Sequence, residues 1–75
     1  MDMKFYKKYI SLGHNIAYYR RVAEYTQMEI AELIDVDITT IGNIERAKSG
    51  VSVDVLFKLS EVLKVPVSKF FENRD

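Results

Sequence analysis

Seventy-five residues, 48% hydrophobic and 29% charged, suit one small globular domain spanning 1–75 and leave no room for a second. The lack of cysteine removes disulfides, thiolate metal sites and cysteine nucleophiles, and a lone histidine, His14, cannot form a multi-histidine metal cage. Eleven Lys/Arg and eleven Asp/Glu cancel, so no overall positive charge marks a nucleic-acid binder.

With three glycines, one proline and apolar residues at helical spacing, the chain is expected to be all-α. Leu12, Ile16, Tyr19 and Ala23 fall at i, i+4, i+7 and i+11, one face of a helix over about residues 6 to 25. Thr26 followed three residues later by Glu29 is a capping-box pattern and predicts a second helix from Gln27, with Ile30, Ala31 and Ile34 inward. Asp37 is the expected N-cap of a third helix, which buries Ile41 and Ile44 and ends near Arg46–Ala47. Ser52 is the expected cap of a fourth, with Val53, Leu56, Leu59, Ser60 and Leu63 inward. Pro66 cannot continue that helix but suits the start of a short fifth, through Phe70 and Phe71.

Two charges fall beside apolar stripes. Arg20 follows Ile16 by four residues and Glu45 follows Ile41 by four. Burying a charge alone is costly, so two opposite charges on inward faces predict one structural salt bridge, Arg20–Glu45. The alternative is that both reach solvent at helix ends.

The run from Gln27 to Arg46, with Ile30, Ala31, Ile34, Val36, Ile41 and Ile44 in order, resembles the helix-turn-helix of the phage repressor/Cro family, or Xre-type regulators. Leu12-Gly13 with Ile16 and Arg20 is similar to that family's first helix, and Leu56, Leu59, Leu63 and Val65-Pro66-Val67-Ser68 to its last two, a likeness over residues 11 to 71. The resemblance implies a compact five-helix lambda-repressor-like DNA-binding domain with its motif at about 27–46. Asp35 stands where the family has a glycine with positive φ, a region that aspartate also visits at modest cost. Ala47 replaces the glycine usual after the third helix, which weakens the expected C-cap. Gly42, in mid-helix, accommodates either a close DNA backbone or a tight contact with the second helix.

A helix in the major groove reads bases with its outward side chains. Setting aside Ile41, Ile44 and Glu45 leaves Thr39, Asn43 and Arg46 on one ridge at i, i+4 and i+7, with Thr40 beside it. Thr39, Thr40 and Asn43 are the expected base contacts, since Asn pairs with adenine and a Thr methyl meets the thymine methyl. Gln27, Arg46, Lys48, Ser49 and Arg21 are the expected phosphate contacts; capping by Gln27 and simple solvation of Lys48 and Arg21 are the alternatives. His14 reads as a plain surface or capping residue.

Charge is segregated along the chain. Residues 1–25 carry Lys4, Lys7, Lys8, Arg20 and Arg21 against Asp2 and Glu24, whereas residues 26–50 carry Glu29, Glu32, Asp35, Asp37 and Glu45 against Arg46 and Lys48. A polyanion would meet a few local cations, and binding is expected to depend on dimerisation.

Phe5, Tyr6, Tyr9, Tyr18, Phe57 and Phe71 exceed what five short helices obviously bury, so a homodimer through the fourth and fifth helices is expected; an N-terminal segment folded over them is the alternative. No apolar run approaches the roughly 18 residues of a membrane span, and the aromatic, basic N-terminus is unlike a signal peptide, so a cytoplasmic protein is expected. No serine has histidine–carboxylate company, and no enzyme activity, cofactor, metal or small-molecule ligand is expected. The expected function is a sequence-specific transcriptional regulator, most simply a repressor, bound to double-stranded DNA as a homodimer on a pseudo-palindromic operator. The alternative is a protein–protein interaction module on the same scaffold.

Overall fold

The computed structural model describes residues 3–73; Asp2, Arg74 and Asp75, and with them the ends of the expected 1–75 span, lie outside the described residues. The described chain is all-helical. Its helices are α1 (Tyr6–Val22), α2 (Gln27–Leu33), α3 (Ile38–Glu45) and α4 (Val53–Leu63), with 3-10 segments at Met3–Phe5 and Val67–Phe71.

Local signals account for the starts. Thr26 accepts from the Glu29 amide at 3.0 Å while Glu29 accepts from the Thr26 amide at 2.8 Å, a complete capping box on α2. Ser52 accepts from the Val55 amide at 3.1 Å at the start of α4. Asp37 holds the N-cap position of α3, but its side chain makes no capping bond, unlike the sequence expectation. Val53, expected inward, is exposed because it opens the first turn of α4, before the stripe turns toward the core. The expected fifth helix is the 3-10 segment after Pro66, where Phe70 is fully buried and Phe71 is exposed.

All four helices stop on left-handed residues that are not glycine: Glu24, Asp35, Ala47 and Lys64, with φ between 59° and 64°. After α1 the Glu24 amide donates to the Arg21 carbonyl and the Tyr25 amide to the Arg20 carbonyl, a Schellman pairing. Asp35 and Val36 pair likewise with Glu32 and Ala31, and Ala47 and Lys48 with Ile44 and Asn43. This turn ends α1 at Val22, three residues before the sequence-based limit of about 25.

Leu12, Ile16, Ile30, Ile34, Ile41, Ile44, Leu56, Leu59, Leu63 and Phe70 form one core. Tyr9 packs on it, whereas Phe5 and Tyr6 remain exposed, so the N-terminal segment covers the core only in part. Asn15, 1% exposed on α1, donates through Nδ2 to the carbonyls of Phe70 at 2.9 Å and Glu72 at 2.7 Å and ties the C-terminal segment down. Gly13 lets α1 lie directly on the end of α3: a Cβ there would stand 2.5 Å from the Ile44 carbonyl oxygen and 2.8 Å from that of Glu45.

Two stability predictions follow from these backbone facts. Asp35→Gly should hold or raise the urea midpoint, since the left-handed region costs an L-residue roughly 1–2 kcal/mol, whereas Asp35→Val should lower it clearly. Gly13→Ala should destabilise by about 1–3 kcal/mol, because backbone cannot yield to the new methyl; Gly50→Ala, whose Cβ would meet only the Tyr9 ring at 3.5 Å, should be nearly silent in the same measurement.

Candidate nucleic-acid interface

α2 and α3 are joined by the Asp35-Val36-Asp37 turn, and the buried side of α3, Ile41, Ile44 and Glu45, sets which of its residues face out. Ile38 and Thr39 are exposed, and Thr40 and Asn43 are half-buried along the outer ridge. Arg46, Lys48 and Arg21 are exposed and Ser49 is half-buried.

The structure brings Arg20 and Glu45 together. Arg20 Nε donates to Glu45 Oε2 at 2.7 Å and Nη2 to Oε1 at 3.0 Å, a bidentate pair with side chains only 10% and 5% exposed. Arg20 Nη1 also donates to the Tyr25 carbonyl at 2.8 Å. Gln27 Nε2 completes the group by donating to Glu45 Oε1 at 2.9 Å. Gln27 therefore does not cap α2; Thr26 does, and one amide hydrogen of Gln27 is committed to the carboxylate that locks α3 in place.

At the C-terminal end of α3, Arg46 folds back along the helix. Its Nη2 donates to Asn43 Oδ1 at 3.3 Å, and a Cβ on Gly42 would come within 2.8 Å of its Nη1. Gly42 thus leaves space for a guanidinium, not for the close contact with α2 that was one expectation. His14, Arg21, Gln27 and Arg46 converge around an open cleft of about 590 Å³ with Glu45 in its floor. His14, which the sequence alone marks as a plain surface or capping residue, lines this cleft because its seven-residue spacing from Arg21 puts both on one stripe of α1. Lys48 and Ser49 lie beyond the α3 end and do not line this cleft.

A family model described as Helix-turn-helix (HTH_3) matches residues 16–70. The chain belongs to the helix-turn-helix family. The matched residues contain the Gln27 to Arg46 run that carries the phage repressor/Cro-type resemblance. Among solved structures, the N-terminal DNA-binding domain of SinR from Bacillus subtilis is 31% identical over 84% of this chain and 93% of its own, with a TM-score of 0.77. The restriction-modification controller protein C.AhdI from Aeromonas hydrophila shares the fold with a TM-score of 0.84, at 24% identity over 88% of this chain and all of its own. The clp gene regulator ClgR from Corynebacterium glutamicum does so with a TM-score of 0.79, at 24% identity over 83% of this chain and 66% of its own. No curated protein sequence matches the chain. Among the described residues no helix is long and apolar enough to cross a membrane.

Removing one member of a buried ion pair strands the other and typically costs ~3–5 kcal/mol. Arg20→Met and Glu45→Gln should therefore each lower the urea midpoint strongly, and Gln27→Ala much less, because the bidentate pair survives it. Unchanged midpoints for both charge variants would show that the pair carries no structural weight.

Proposed function

We propose that this chain is a sequence-specific DNA-binding transcriptional regulator that acts in the cytoplasm as a homodimer on a pseudo-palindromic operator, most simply as a repressor. The observation that carries the reading is the outward ridge of α3: Thr39 and Asn43 at i and i+4, on a helix whose opposite side is held by the Arg20–Glu45–Gln27 group. In this reading α3 lies in the major groove, with Thr39, Thr40 and Asn43 at base edges. Gln27, Arg46, Lys48, Ser49 and Arg21 contact phosphates on either side.

A homodimer through α4 and the 3-10 segment after it is supported by Val53, Phe57 and Phe71, each more than half exposed and off the core. Membership of the helix-turn-helix family supports the DNA reading and speaks against an enzyme. The reading needs no cofactor and no small-molecule ligand.

Selection of bound sequences from random duplex DNA at low salt tests the reading. On the selected site, Asn43→Ala should change the preferred base pairs and cost roughly 1–3 kcal/mol. Lys48→Ala should weaken all sequences alike and flatten the dependence of log affinity on log salt by about 0.9 per protomer. Unchanged base preference in Asn43→Ala overturns the assigned reading face. Failure of the wild type to bind any duplex overturns the DNA reading and favours a protein–protein interaction module on this scaffold.

A further inference from the structure

The charge of the described chain is divided between surfaces, and the division places the cations away from the helix-turn-helix itself. α1 holds Lys7, Lys8, Arg20 and Arg21 and no acidic residue over its 17 residues. Residues 26–50 hold five acids against Arg46 and Lys48, and Glu29, Glu32, Asp35 and Asp37 are exposed. One of the α1 cations, Arg20, is consumed by the buried pair.

Of the remaining cations, Lys7, Lys8 and Arg21, the first and last line up along the helix with His14 between them. Lys7, His14 and Arg21 recur every seven residues, so they share one stripe along about 21 Å of helix, with Ser11 beside it. All three are exposed, and among the described residues none of them joins an ion pair. His14 lies where two open clefts meet. One, of about 670 Å³, is lined by Lys7, Lys8, Ser11 and His14 and includes no acidic side chain. The other joins His14 and Arg21 to Gln27 and Arg46 at the end of α3.

We propose that the Lys7–His14–Arg21 stripe of α1 is a phosphate track that continues the DNA backbone contacts from the end of α3 along the length of α1. The ligand is the phosphodiester backbone of the same duplex that α3 reads, so the proposal rests on the DNA-binding reading above. Its physical reason is electrostatic. A helix-turn-helix with excess negative charge neutralises few phosphates, and affinity for DNA grows with each phosphate that a cation neutralises. The acid-free stripe supplies those cations on the surface that adjoins Arg46.

Salt titrations of the full-length chain on its selected duplex, carried in DNA long enough to extend well past the site, test the track. Because the proposed homodimer holds two copies of each residue, Lys7→Gln and Arg21→Gln should each flatten the slope of log affinity against log salt by about 0.9 per protomer, about 1.8 per complex, and the double variant by about twice that. His14→Lys, which places a third lysine or arginine in the stripe, should steepen it by about 0.9 per protomer. None of these variants should alter base preference. Wild-type binding with the same slope in all three stripe variants overturns the track while leaving the α3 reading intact. Loss of base preference in Lys7→Gln overturns it as well, since a backbone contact carries no sequence information. Absence of any wild-type binding overturns the track and the DNA reading together.

Discussion

The placement of α3 rests on the Glu45 carboxylate, buried among three helices. Desolvating two ions costs several kcal/mol each, and only near-complete hydrogen bonding offsets it. Here the carboxylate accepts from Arg20 Nε, Arg20 Nη2 and Gln27 Nε2, and the third nitrogen of Arg20 donates to the Tyr25 carbonyl. Among the described residues no buried polar side-chain atom lacks a partner. A group this directional contributes geometry more than energy, because α1, α2, the turn between them and the last residue of α3 must all be in register for it to close. Gly13 works on the same contact. It precedes Arg20 by seven residues, so both lie on one face of α1, and its missing side chain lets the carbonyls of Ile44 and Glu45 approach.

The helix ends show tertiary packing overriding local preference. Four non-glycine residues take the left-handed conformation, at a cost that glycine would avoid. After three of the four, the next residue packs against the core (Tyr25, Val36 and Val65), the hydrophobic contact that accompanies Schellman turns; Lys48, after Ala47, is exposed. Asp35 was legible as such a residue because the family resemblance placed a glycine there. Glu24 and Lys64 are not legible, since nothing in a glutamate or a lysine announces a helix stop, and α1 accordingly ends at Val22, short of the limit its apolar spacing predicts.

The same distinction governs what else the sequence disclosed. Capping residues act within three positions, so Thr26, Glu29 and Ser52 were readable, and the apolar stripes placed the core. Arg20 and Glu45 were readable as a pair because each charge broke an apolar face. Asn15 was not: its partners are carbonyls 55 and 57 residues away, and a polar residue on a helix gives no sign of a distant acceptor. The bond from Gln27 Nε2 to Glu45 was not legible either, since its acceptor lies 18 residues away on another helix. The outward ridge of α3 followed from helical spacing alone, but the fold of Arg46 over Gly42 depends on a rotamer that spacing does not encode.

That Arg46 conformation bears on how the proposed reading face would behave. With Arg46 bonded to Asn43 Oδ1, the Asn43 amide is held on the outer side of α3 before any base arrives. An exposed bond at 3.3 Å is weak, so releasing Arg46 from it to a phosphate would cost little. The exposed acids act in the opposite sense. At physiological ionic strength fields decay over about 8 Å, so Glu32 and Asp37 are felt by DNA only at close range. Repulsion of that reach penalises poses in which these acids rather than the α3 ridge meet the backbone, and a neutral chain has no general attraction to mask the penalty. In the proposed reading, discrimination would be built from short-range contacts on both signs of charge, with Glu32 and Asp37 contributing to it as much as the cations of α1.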